Sequence, residues 1–292
     1  MAKNKKNKRD KNIILVLVEG KSEIMALEGP LSAMFDEISP KYRVMFALQR
    51  RQINNNGTEK DDQQYDETED YFDEIDEEET EYDWGGDITS SNYVKPKNIE
   101  TKITNRFFKP LIEKEKIYSK MLLEVIHIVD LDGSFIDEDR VVSLSQGRSG
   151  DDSPYYDDIN GVIECTNVED IRDRNIRKRR NLEYLCSLET IKIETKSVPY
   201  SVYYFSSNLD HFLHNDANMG VNKINKARDF SMKYVFDTEG FYKYFINDKD
   251  SAKELSYKES WEVIKEGKNS LMRKTNFDLL MKRIKARDFP EL

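Results

Sequence analysis

The chain is short of the residues that build soft metal centres and redox pairs. It has two cysteines, Cys165 and Cys186, and three histidines, His127, His211 and His214. No Cys-x-x-Cys pair occurs, which argues against a structural zinc site. Two thiols in 292 residues suit a reducing, cytoplasmic compartment better than a disulfide-stapled secreted domain. Long apolar runs are missing too. The longest purely aliphatic stretch, Ile13–Val18, has six residues, far below a membrane span or the core of a secretion signal. No membrane association is expected. The start, "MAKNKKNKRDKN", is basic without an apolar segment, and residues 1–11 read as a solvated or nucleic-acid-facing tail.

What the chain has in excess is charge. It carries 56 acidic and 46 basic residues, a net charge of −10. Residues 59–87 alone hold 16 of the acidic residues and one lysine, so the rest has 40 acidic and 45 basic residues and a balance of +5. The body is therefore mildly basic and carries one acidic segment. That segment reads as a disordered insertion. The sharper reading is a strip that mimics nucleic acid over a basic site, anchored by Tyr65, Tyr71, Phe72, Tyr82 and Trp84.

Along the chain, "NIILVLVEG" (12–20) reads as a strand buried on both faces of a parallel sheet. A helix follows, with Ser22 as its cap and Ile24, Leu27, Leu31, Met34, Phe35 and Ile38 in helical period. Gly29-Pro30 should kink or divide it. "YRVMFALQ" (42–49) is a second strand, and a polar, acidic insertion spans about 51–98. Residues 99–121 read as helical, with Ile103, Phe107, Leu111 and Ile112 on one face. "LLEVIHIVDLDG" is the third strand, and about 137–163 reads as a loop insertion. Thr166-x-x-Glu169 has the form of a capping box for a helix running to about Leu188. "VPYSVYYFSS" (198–207) is a fourth strand. Residues 217–292 are patterned as a helical subdomain, for docking a partner or forming a homo-oligomer. The alternation predicts an α/β fold with a parallel sheet flanked by helices, and ligands at the carboxyl ends of its strands.

Three acidic residues stand at those ends. Glu19 closes the first strand, before a glycine that lets the backbone turn. Asp130 and Asp132 close the third, and alternation along a strand points residues two apart the same way. Neighbouring parallel strands lie about 4.8 Å apart, so Glu19 can join them if its strand is adjacent. Carboxylates without histidine make an oxygen-only site suited to Mg²⁺ or Mn²⁺. "GKS" at 20–22 is not a P-loop, because Leu15 stands where the first glycine is needed.

Two families end a strand this way. "DLDGSFID" resembles the first motif of haloacid-dehalogenase phosphatases, which implies Asp130 as nucleophile and Asp132 as acid/base. That motif belongs on a first strand, however, and no later acidic pair completes its metal site. "VEGKSE" and "VDLDG" together resemble the TOPRIM domain of topoisomerases, DnaG-type primases and overcoming-lysogenization-defect (OLD) nucleases. "YYFSSNLDHFLHND" (203–216) looks like a segment of the RloB-like TOPRIM proteins of phage-defence loci, with Leu209 in place of a proline and Asp210 where they carry Glu. His214 matches their later histidine, while His211 and His214 also read as ordinary polar residues at a helix start. The resemblance covers about residues 12–210, interrupted by the insertions, and implies a TOPRIM (Rossmann-like) sheet in a domain over 12–216. It also implies a Mg²⁺-dependent nuclease, paired with an ABC-type or OLD-type ATPase on a separate chain.

On that resemblance Asp130, Asp132 and Glu19 hold the ion, with Glu19 alternatively acting as acid/base. Glu23 serves a second ion or simply complements a helix dipole. Lys21 is a candidate phosphate contact. So is the run "RDRNIRKRR" (172–180), where Arg177, Lys178 and Arg180 either bind nucleic acid or form a solvated helix surface. The competing classes are the phosphatase and a regulatory partner protein without catalysis.

Overall fold

The computed structural model describes residues 12–53, 81–150, 153–220, 222–252 and 254–289. The basic tail and the bulk of the acidic run, with Tyr65, Tyr71 and Phe72, lie outside the described residues.

The apolar run becomes β1 (Asn12–Val18). Its side chains divide by the period of two, with Ile13, Leu15 and Leu17 entering one core and Ile14, Val16 and Val18 the other. Each is fully buried, which contributes about 1.5–3 kcal/mol per side chain. The next helix, α1 (Lys21–Ile38), runs unbroken through Pro30, contrary to the expected division. Pro30 is buried, so tertiary contacts there outweigh the local cost of the lost N–H. Gly29 has its own reason. A Cβ there would lie 3.1 Å from Ser231 Oγ and 3.3 Å from Val235 Cγ2, in and just past the helix over Lys223–Tyr234 that packs on α1.

β2 (Tyr42–Leu48) follows, then β3 (Arg50–Ile53) and β4 (Glu81–Trp84), which pair antiparallel. The acidic insertion therefore leaves and re-enters the fold at one point. Its described C-terminal end belongs to the core, where Ile88 and Val94 are buried. Next come α2 (Ile99–Ile103), a π-helical turn at Thr104–Phe108 that buries both Phe107 and Phe108, and α3 (Lys109–Glu115). β5 (Leu122–Asp130) is the central strand.

The stretch expected to be a loop at 137–163 holds most of a small sheet of β6 (Val141–Ser143), β7 (Tyr155–Asp157) and β8 (Val162–Cys165), in the order β6-β8-β7. Strands of three or four residues are too short to show a period. α4 (Val168–Leu185) is capped by Asn167, whose side chain accepts from the Asp170 N–H, rather than by a Thr166–Glu169 box. β9 (Thr190–Ile193), β10 (Lys196–Phe205), α5 (Leu209–His214), α6 (Lys223–Tyr234), α7 (Thr238–Ile246), α8 (Tyr257–Ile264) and α9 (Phe277–Ala286) complete the described chain.

The main sheet has the order β2-β1-β5-β10-β9. Its first four strands are parallel and β9 is an antiparallel edge. One face carries the segment from α2 to α3, together with α4 and α8. The other carries α1, α5, α6, α7 and α9. The C-terminal helices thus share the sheet's two cores rather than forming a subdomain with a core of its own. Among the described residues, no helix is long and apolar enough to cross a membrane.

Candidate functional site

The carboxyl edge of β1 and β5 brings together side chains from four parts of the chain. Glu19, just past β1, reaches across to the neighbouring strand, where its Oε1 accepts the Asp130 N–H at 3.1 Å. Its backbone carbonyl accepts the Gly86 N–H at 2.6 Å, laying the return from the β3–β4 hairpin against the end of β1. Gly85 permits this approach: its φ is +99°, and a Cβ would sit 3.0 Å from the Glu19 carbonyl oxygen.

That return delivers Asp87. Its Oδ1 accepts from the Thr89 N–H at 2.7 Å and from Thr89 Oγ1 at 2.5 Å. α4 fixes the loop: Asn181 Nδ2 donates to the carbonyls of Thr89 at 2.8 Å and Val94 at 3.1 Å, and Arg177 Nε donates to that of Ser90 at 3.1 Å.

Asp132 is the third carboxylate. β5 has ended at Asp130, and Asp132 takes a left-handed backbone with φ +51°. Its N–H donates to the Ser207 carbonyl at 2.9 Å and its carbonyl accepts from Arg174 Nη2 at 3.2 Å, which holds this unfavourable conformation. The Tyr156 hydroxyl donates to Asp132 Oδ1 at 3.0 Å, and Arg174 Nη1 donates to that hydroxyl at 3.3 Å. Burial and then Asp132 push the Tyr156 phenol up, so it stays a proton donor.

Glu19, Asp87 and Asp132 each offer an oxygen, all within 4.8 Å of one another. Among them stands the ammonium of Lys178, fully buried, 2.6 Å from Asp132 Oδ2, 2.9 Å from Asp87 Oδ2 and 3.6 Å from Glu19 Oε1. Burial works against this ammonium, but Asp132, Asp87 and Glu19 outweigh it and hold its pKa well above the usual lysine value. Burial and the Asp87 charge raise Glu19 well above the carboxylate range, with Lys178 opposing. At Asp87 burial is overcome by Lys178 and by hydrogen bonds, and its pKa falls.

Asp130 is not a member of that trio. The turn at Asp132 breaks the strand alternation that would have aimed both carboxylates one way. Asp130 Oδ1 instead accepts the Leu209 N–H at 3.0 Å, at the start of α5. Its pKa is raised well above normal by burial, then by Glu23 and Asp132. Glu23 itself is buried and raised, and its Oε2 has no hydrogen-bond partner. Asp210 is raised to about 6 by burial, with Lys223 opposing and Glu23 adding. These three form a second acidic group on the α1–α5 side of Glu19.

The remaining candidates disperse. Lys21 and Arg180 are exposed and Arg177 is half-buried. Lys178, from the same basic run, faces inward. His214 is half-buried with Nε2 unpartnered, and burial lowers its pKa. His211 is buried, with Nδ1 3.0 Å from Ser207 Oγ and Nε2 3.3 Å from Asp158. His127, on β5, is buried with Nδ1 2.8 Å from the Tyr200 hydroxyl, and burial lowers its pKa to about 4, with Asp87 opposing and Lys178 adding.

Composition concealed Asp87 and the inward role of Lys178. Asp87 is the last of 16 acids in its run, flagged only by the Gly85-Gly86 pair before it and the apolar Ile88 after it. The position of Lys178 was legible from helical spacing: it shares the inward face of α4 with Asn175, Leu182 and Leu185.

The donor set fits a hard divalent cation. It is all carboxylate oxygen and carries more negative charge than one lysine neutralises. Fold and site together define an α/β protein with an acidic centre at the carboxyl edge of a parallel-dominated sheet. The chain matches no family model, no curated protein and no solved structure.

Proposed function

We propose that the protein is a divalent-metal-dependent phosphodiesterase of the TOPRIM type, a cytoplasmic nuclease acting on DNA or RNA. The observation that carries this reading is the convergence of Glu19 from β1 and Asp132 from beyond β5, two adjacent parallel strands, with Asp87 closing the trio. The Glu-Gly and Asp-x-Asp ends of the adjacent parallel strands β1 and β5 support the TOPRIM assignment.

Glu19, Asp87 and Asp132 would hold Mg²⁺ or Mn²⁺, which when bound polarises a phosphate and makes water a better nucleophile. The chain's own groups supply the rest. Tyr156 and Arg174 keep Asp132 in place. Asp210, with its pKa near neutrality, can hold or release a proton beside Asp130 and Glu23. Exposed Lys21 at the start of α1 and Arg180 on α4 offer charge to polynucleotide phosphates, with Arg177 between loop and solvent. The phosphatase alternative needs Asp130 as a free nucleophile, and its engagement by the Leu209 N–H and its raised pKa both disfavour that role. The phage-defence setting and the separate ATPase partner rest on the resemblance of residues 203–216.

The direct test is cleavage of plasmid DNA and total tRNA by the purified protein with Mg²⁺ or Mn²⁺, alone and with a co-encoded ATPase. Wild type is expected to cleave one of them, and Glu19→Gln and Asp132→Asn to lose that activity. Full activity in both variants overturns the reading.

A further inference from the structure

The feature that a metal site does not require is the lysine at its centre. Lys178 is fully buried, and its ammonium lies within 2.6–3.6 Å of one oxygen from each carboxylate of the trio. A Mg²⁺ ion bound to those oxygens needs contacts of about 2.0–2.1 Å from a point among them. The ammonium already stands among those oxygens, closest to Asp132 and Asp87. An ammonium and a dication cannot share that place, because their repulsion inside the protein far exceeds that in water.

We propose that Lys178 is the resident counter-ion of this site, and that a divalent cation enters only by displacing its ammonium from Glu19, Asp87 and Asp132. The inference rests on the metal-site reading above and adds to it how the site is governed. It explains how three clustered carboxylates are kept in the folded chain without metal, since unpaired buried charges of one sign are costly. It also gives the site a threshold, because the cation must be worth more than the three ion pairs it replaces. The basic run supplies the lever. Lys178 sits on α4, whose Arg177 and Asn181 hold the Asp87 loop. Any partner or polynucleotide that shifts α4 therefore shifts the lysine and one carboxylate of the site together.

The experiment compares wild type, Lys178→Met and Lys178→Gln by Mn²⁺ titration calorimetry and by thermal melting with and without Mn²⁺. Asp132→Asn serves as the control. Expected are Mn²⁺ binding to both lysine variants at least ten-fold tighter than to wild type, and melting temperatures below wild type without metal that Mn²⁺ restores. If the variants fold only when Mn²⁺ is present, that outcome supports the proposal in its strongest form. If they bind Mn²⁺ no tighter than wild type, or stay unfolded with Mn²⁺ present, the displacement proposal is overturned. Should wild type bind Mn²⁺ and Asp132→Asn fail to, the metal site survives that loss. Should neither wild type nor the lysine variants bind Mn²⁺, the metal-site reading falls as well.

Discussion

Glu19 and Asp130 are joined across neighbouring strands by a single hydrogen bond, from the Asp130 N–H to Glu19 Oε1 at 3.1 Å. The bond ties the two strand ends and decides which face of the sheet edge each acid serves. The Glu19 carboxylate is held on the Asp132 and Asp87 side, while Asp130 turns its own toward Leu209, Glu23 and Asp210. Two acidic groups result where the sequence suggested one.

Asp87→Asn and Asp130→Asn should therefore behave differently. Asp87 belongs to the trio around Lys178 and Asp130 does not. Mn²⁺ titration by calorimetry should show Asp87→Asn weakening binding by ten-fold or more, with a smaller effect for Asp130→Asn. Equal losses in the two variants would show that Asp130 shares the ion directly.

Tyr156→Phe removes the hydroxyl between Asp132 Oδ1 and Arg174. It leaves one carboxylate lone pair and one guanidinium N–H without their partner. Urea unfolding should register a loss of about 1–3 kcal/mol, the usual cost of such a gap. Metal affinity should drop as well, because Asp132 then loses part of its orientation. An unchanged Mn²⁺ affinity would confine Tyr156 to stability.

The pH dependence of stability has a definite sign at Asp210. Its folded pKa is raised to about 6 by burial, with Lys223 opposing and Glu23 adding, against about 3.9 in the unfolded chain. A raised acid favours the fold while protonated, so its contribution is complete below about pH 4 and is lost as pH rises through about 6. Asp210→Asn cannot ionise and escapes that loss. Relative to wild type, the variant should gain about 1–3 kcal/mol between pH 4 and pH 7 and level off above. Melting curves across that range check it, and a difference that does not change with pH would refute it.

Sequence made the scaffold legible wherever a pattern was long enough to have a period. Six consecutive aliphatic residues rich in β-branched side chains read as a strand buried on both faces, and Glu19-Gly20 marked where it ends. The third-strand reading held for β5, from Leu122 to Asp130. Patterns failed where closure is tertiary. Asp87 reaches the site because β3 and β4 zip together and return the chain, which no window of composition can register. Asp132 was assigned by strand alternation, yet it stands two residues beyond the strand in a left-handed turn stabilised by Arg174 and Ser207. Lys178 was read with the charges around it, although its partners come from residues 19, 87 and 132.

At the opposite end of β5, Glu124 and Arg283 make a second buried ion pair that carries stability rather than chemistry. Glu124 is 2% exposed, and Arg283 meets it through both Nη atoms, at 2.8 and 3.1 Å. Ser201 Oγ donates to the same carboxylate at 3.1 Å, and the guanidinium also donates to Tyr203. The pair links α9 to the centre of the sheet, so breaking it loosens the packing between the last helix and the strand that leads to the site. Arg283→Ala leaves Glu124 buried without its counter-charge, and a stranded buried charge costs about 3–5 kcal/mol. Glu124→Gln combined with Arg283→Met removes both charges and keeps most of the volume, so it should cost far less than Arg283→Ala alone. Equilibrium urea unfolding of the three proteins tests this. If Arg283→Ala costs less than about 1 kcal/mol, water already reaches Glu124 and the pair behaves as a surface one.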